Sequence, residues 1–212
     1  MRRRDFVAGV LCTLPAPVVF ASKTTAQAQN GRFVGNVVAR WNADGREMTL
    51  MEPFEYVDPK GLSWKVPVGT TVDGASIPQF FWSIIGGPFD GLYRNASVVH
   101  DFYCQVKTRP YLDVHQVFHE AMDTSGVPAR KSWLMYQAVK RFGPRWSKAS
   151  VDPKCEVIDE NYDFGACSRN AAPALAAPET NHENLEAFID DVEGNANPED
   201  MAKLREALAA VR

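Results

Sequence analysis

The chain has 212 residues, 45% of them hydrophobic and 23% charged, a globular composition rather than a disordered or fibrous one. Its 23 Lys and Arg face 26 Asp and Glu, a net charge of −3, which excludes a protein held on nucleic acid by an overall basic surface. No apolar run reaches the about 18 residues that a membrane-spanning helix needs, so no transmembrane segment is expected in the mature chain.

Residues 1–28 read as an export signal rather than as part of the fold. A basic start, Arg2-Arg3-Arg4, precedes an apolar stretch from Phe6 to Ala21, and Ala26-Gln27-Ala28 supplies the small-x-small pattern that a signal peptidase accepts. Arg3-Arg4-Asp5-Phe6-Val7 resembles the twin-arginine signal, a paired Arg followed by one variable and two apolar residues. Arg3, Arg4, Ala26 and Ala28 carry this expectation, and an ordinary secretory signal is the alternative. The expected partner is therefore the twin-arginine export machinery, and the expected location is the periplasm or the exterior. Export of that kind moves folded proteins, often after a cofactor is inserted.

Cysteine usage agrees with an oxidising compartment. Cys155 and Cys167 flank a short polar loop and are the expected disulfide, worth about 2–3 kcal/mol on the chain-entropy argument. Cys104 is left as an odd thiol, either buried and inert or close to chemistry.

A core domain is expected over 29–150. From Phe33 to Val72 the pattern is that of antiparallel hairpins, with turns at Asn42-Ala43-Asp44-Gly45 and Pro59-Lys60-Gly61. The period then becomes helical. Short and long helices are expected over 79–85 and 92–106, a third from a cap at Asp113 to Ser125 with Gly126 ending it, and a fourth over 129–141. Sheet first and helices afterwards implies an α+β fold. Residues 151–170 form the disulfide-closed loop, and the Ala- and Pro-rich 171–182 reads as a linker. Residues 183–212 read as an acidic helical hairpin, with Leu185, Phe188, Ile189 and Val192 at helical spacing and Asn197-Pro198 starting the second helix. Packing back on the core is the expectation for this tail, and docking on a partner is the alternative.

The strongest chemical cluster is Val98-Val99-His100-Asp101-Phe102-Tyr103-Cys104. A His-Asp doublet offers an imidazole nitrogen and a carboxylate oxygen from one helical turn, which suits a divalent metal such as Zn or Mn. Asp73, in an Asp-Gly-Ala-Ser turn, and Asp113, at a helix start, complete a candidate metal set of Asp73, His100, Asp101 and Asp113, with His100 and Asp101 as candidate catalytic residues. The structural alternative is of equal weight: Asp113 as a helix cap, Asp73 bonding turn amides, His100 paired with a buried carboxylate. His115 and His119 stand four apart, but without the internal Glu of a zincin, and solvent-facing histidines are expected. Cys104 shares a helix face with His100, and a small buried thiol is expected there rather than a nucleophile.

These residues also carry a family resemblance. Trp64-Lys65-Val66-Pro67-Val68-Gly69, Thr71-Val72-Asp73-Gly74-Ala75-Ser76-Ile77-Pro78, His100-Asp101, Arg109, Asp113, Phe118, Glu120-Ala121-Met122 and Phe142-Gly143 resemble a phage and bacterial family, domain of unknown function thirteen-fifty-three, over about residues 33–146. The resemblance implies the same order of sheet and helices and supplies no activity; phage members imply a structural or cell-wall role. The export signal, the disulfide loop and the acidic tail depart from the phage pattern. Two functions follow as expectations. One is an exported metal-dependent hydrolase acting on peptidoglycan or another envelope polymer, its bound water the nucleophile. The other, the alternative to that leading reading, is a non-catalytic binding or assembly module related to phage virion proteins; peptidoglycan or an envelope protein is the expected partner.

Overall fold

A computed structural model describes residues 30–74, 77–87, 89, 91–147, 153–156, 158–159 and 161–211. The signal residues Arg3, Arg4, Ala26 and Ala28 lie outside the described residues. The N-terminal half forms two antiparallel sheets. In the first, strands β1 (Arg32–Val34), β4 (Phe54–Val57) and β5 (Ser63–Val66) lie in the order β1-β4-β5. In the second, β2 (Ala39–Trp41), β3 (Met48–Leu50) and β6 (Thr71–Val72) lie in the order β2-β3-β6.

Strand alternation sets which side chains reach the core. Phe54 pairs with Val66 and Tyr56 with Trp64, and all four are buried, whereas Lys65 between them is exposed. The β4–β5 turn is built by one carboxylate. Asp58 Oδ1 accepts from the amides of Lys60 and Leu62 at 2.9 Å each, Oδ2 accepts from Trp64 Nε1 at 3.1 Å, and Gly61 takes the left-handed φ of +85° that the turn needs.

A 3-10 turn over Gln79–Phe81 leads into α1 (Trp82–Ile85), and a second over Gly91–Tyr93 leads into α2 (Arg94–Val106). Helix α2 is the axis of the fold. It packs on α3 (Tyr111–Thr124) and on β5 and β6, so that it touches both sheets. Nearly every residue from Ala96 to Cys104 is buried, including the polar Ser97, His100 and Asp101. A helix covered on all sides has no solvent face for polar side chains, and each must find a partner inside. Helix α3 then packs on α4 (Ala129–Phe142), with Gly126 at φ +79° closing α3.

Helix α3 begins at Tyr111 behind Pro110, three residues earlier than a cap at Asp113 would place it. Proline at the boundary fixes φ at −56° and needs no amide partner, so it starts the helix instead of the Asp. Asp113 thus stands in the first turn, where its charge still favours the helix dipole.

Two short helices, α5 (Pro153–Glu156) and α6 (Phe164–Arg169), carry the disulfide Cys155–Cys167, with Cα atoms 5.6 Å apart. The Ala- and Pro-rich segment expected to be a linker is instead held in place. Its β8 (Ala174–Leu175) pairs antiparallel with β7 (Arg145–Trp146), and Ala172 O accepts from Lys107 Nζ at 3.0 Å. Composition marked the segment as unable to build a helix or a core, but even two residues can complete a backbone ladder.

The tail forms α7 (His182–Val192) and α8 (Pro198–Ala210), each capped by an Asn side chain, Asn181 and Asn197. It packs on the core as expected. Leu185, Phe188, Ile189 and Val192 are buried, Phe188 meets Phe81 and Phe142 edge-on, and α8 lies against α1. Among the described residues no helix is long and apolar enough to cross a membrane.

Candidate functional site

Two regions of the molecule carry chemistry, one closed and one open. The closed region begins with His100 and Asp101 on α2, both without solvent exposure. Asp101 Oδ2 accepts from the amide of Gly74 at 2.6 Å. Gly74 has φ +101°, a backbone conformation open to glycine and strained for other residues, and it turns its amide toward the helix. The Asp-Gly turn after β6 is thereby tied to α2 by a charge-assisted hydrogen bond.

His100 Nε2 lies 2.8 Å from His115 Nδ1, and His115 Nε2 lies 3.1 Å from Pro144 O. A carbonyl only accepts, so His115 carries its proton on Nε2 and presents a lone pair on Nδ1 to His100. Burial pushes His115 down to about 4, against the opposing pull of the Pro144 carbonyl, and keeps the ring neutral. Cys104 Sγ is 3.7 Å from His100 Nε2 and 3.8 Å from its Nδ1. Burial pushes this thiol well above its usual range, and the negative charge of Asp101 adds to the effect. Cys104 is therefore a protonated interior thiol, as expected, and not an activated nucleophile.

The other members of the expected metal set lie elsewhere. Asp73 points outward, with a 40% exposed side chain and its carboxylate 3.6 Å from Arg46 Nη2. Asp113 is exposed and borders a shallow cleft of about 360 Å³ with Asp58, Arg109 and Glu120. Among the described residues no three of Asp73, His100, Asp101 and Asp113 bring ligand atoms within 4.8 Å of one another. The group that does is His100, Cys104 and His115.

His115 thus corrects the expectation of a solvent-facing ring, for it is fully buried, while His119 sits at the margin, stacked on Tyr136 at 5.0 Å. The signal was present in the spacing. His115 is four residues after Tyr111 and three before Phe118, on the flank of the apolar stripe, whereas His119 lies one step further round the helix.

The open region is a cleft of about 840 Å³ between the second sheet and the segment that leads into α2. Trp41 stands on its rim, 56% exposed and edge-on to Phe89 with ring centroids 5.6 Å apart. Trp82 and Gln79 also line it, and Arg46 and Arg94 supply positive charge. Arg94 is held there by its Nε, which donates to Phe89 O at 2.9 Å. In the sequence Trp41 falls within the hairpin pattern over 33–72 and nothing beside it marks a cleft. The cleft joins residues more than 50 positions apart, and no local pattern encodes that meeting.

Residues 48–139 match the family described as "Protein of unknown function (DUF1353)", the family that the motif order resembles. The matched segment runs from β3 into the last turn of α4 and contains both Asp101 with its Gly74 partner and the His100–Cys104–His115 group. The chain is similar to two proteins of Sinorhizobium fredii, both described as uncharacterised. It is 48% identical to y4jT over 128 residues, which are 58% of this chain and 38% of that protein. It is 38% identical to y4iH over 112 residues, 53% of this chain and 47% of that protein. The matched part thus spans less than half the length of either relative. No solved structure matches the chain significantly.

Proposed function

We propose that the protein is an exported, non-catalytic binding module of the cell envelope, and that its open cleft takes an anionic envelope polymer of the peptidoglycan kind. The observation that carries this reading is Trp41, a large aromatic side chain held more than half exposed over a cleft that also holds two arginines. Sugar rings offer apolar faces that stack on an indole, and the free carboxylates of the peptide stems suit guanidinium groups.

The hydrolase alternative needs a metal and its water at an open site between Asp73, His100, Asp101 and Asp113. The burial of His100 and Asp101, with Asp73 and Asp113 turned to the surface, favours the binding module over it. The signal-like Arg3-Arg4-Asp5-Phe6-Val7 and the Cys155–Cys167 disulfide support an envelope location.

Two experiments test the proposal. Purified chain lacking residues 1–28 should co-sediment with peptidoglycan sacculi without releasing soluble fragments, and Trp41→Ala should weaken that binding at least tenfold. Release of fragments would restore the hydrolase, and absence of co-sedimentation would remove the polymer. Separately, changing Arg3 and Arg4 to Lys should retain the precursor in the cytoplasm, and undiminished export would eliminate the twin-arginine route.

A further inference from the structure

We propose that His100 Nε2, His115 Nδ1 and Cys104 Sγ form a buried zinc(II) site that clasps α2 to α3. This inference is independent of the cleft and of any polymer. The three atoms lie within 4.8 Å of one another, on two helices packed side by side, and all three residues are buried.

The distances are close to those of a metal site. With Zn–N near 2.0–2.1 Å and Zn–S near 2.3 Å, tetrahedral geometry separates two nitrogens by about 3.3 Å and a nitrogen from a sulfur by about 3.6 Å. Cys104 Sγ stands 3.7 Å from His100 Nε2 and 3.8 Å from its Nδ1, so it lies over the ring face and must turn toward the Nε2 edge to share an ion with it. The two imidazole nitrogens, 2.8 Å apart, would open by about 0.5 Å.

The surroundings also fit. His115 donates Nε2–H to the Pro144 carbonyl, the outer hydrogen bond that fixes a ligating histidine's tautomer and orientation. Two imidazoles and one thiolate are a zinc-type donor set; manganese prefers oxygen ligands, so this group does not extend the expectation of that metal.

Binding is balanced as follows. The Cys104 thiol gives up one proton to solvent as the Zn–S bond forms. The proton on His100 Nε2 passes to its Nδ1, so both rings remain neutral and the ion takes their freed lone pairs.

The test uses the full chain with Cys12→Ser, so that Cys104 is the one thiol outside the disulfide. Protein purified without chelator is first assayed by elemental mass spectrometry, then stripped and titrated with cobalt(II) followed by zinc(II). The expected result is about one equivalent of zinc as purified. Titration should give a thiolate-to-cobalt charge-transfer band that saturates at one equivalent and disappears as zinc displaces cobalt. Cys104→Ala should lack the band, and His115→Gln should weaken metal binding at least tenfold. Zinc at a hundredfold excess over its Kd should raise the parent's melting midpoint by about 5 °C or more, and leave Cys104→Ala unmoved. A parent that holds a full equivalent and unfolds when stripped also supports the clasp. Less than a tenth of an equivalent together with no cobalt band in folded parent overturns it, as does a band that survives in Cys104→Ala.

Discussion

The interior beneath α2 and the cleft beside Trp41 divide the molecule's chemistry in an unexpected way. The residues whose types suggest catalysis, His100, Asp101 and Cys104, are enclosed, and the protein itself supplies contacts for them. The residues that read as ordinary sheet and helix-entry positions, Trp41, Phe89 and Arg94, line the open face. A reactive residue type acts on a substrate only where the substrate can reach it. At zero exposure, the same His-Asp doublet is a means of joining a turn to a helix.

Mutations on the two sides should therefore differ in kind. The largest loss is expected from Phe188→Ala, which removes the ring wedged against Phe81 and Phe142 and should cost about 3–5 kcal/mol in denaturant unfolding. A cost below about 1 kcal/mol would mean that the tail contributes little to the core. Next, Asp101→Ala should cost about 2–3 kcal/mol by leaving the buried Gly74 amide unpaired. Asp101→Asn keeps an acceptor oxygen and should lose about 1 kcal/mol, and parity between the two variants would break the account of that contact. The smallest stability effect belongs to Trp41→Ala, within about 0.5 kcal/mol of the parent, even though it should show the largest change in sacculus binding. A destabilised Trp41→Ala would turn the indole from a ligand platform into part of the core.

Much of the architecture was legible in the chain. The hairpins over 33–72 and the helices over 94–106 and 129–142 follow from side-chain period alone, because each buries one continuous set of residues. Asn197-Pro198 marked the start of α8 directly. Legibility failed where the deciding partner was remote. Asp73 lies at the surface, 3.6 Å from Arg46, and Pro110 displaces Asp113 from its cap. The spacing places His115 on the flank of the apolar stripe, but the Pro144 carbonyl that gives its ring a polar partner inside lies 29 residues away. Types and spacing identified His100 and Asp101 as unusual, but only packing showed that α2 has no solvent face.

The small ladder between Arg145–Trp146 and Ala174–Leu175 has a consequence for how the tail behaves. It fixes the tail's point of departure about seven residues before α7, so Phe188 explores only a small volume around its seat between Phe81 and Phe142. A short flexible tether of this kind sets an effective concentration on the order of millimolar. Even if the isolated tail peptide bound the core with a Kd of only about 0.1 mM, roughly nine tethered tails in ten would be docked at any moment. A single cut between Leu175 and His182 would turn this local encounter into an ordinary bimolecular one, and at low protein concentration the tail would leave.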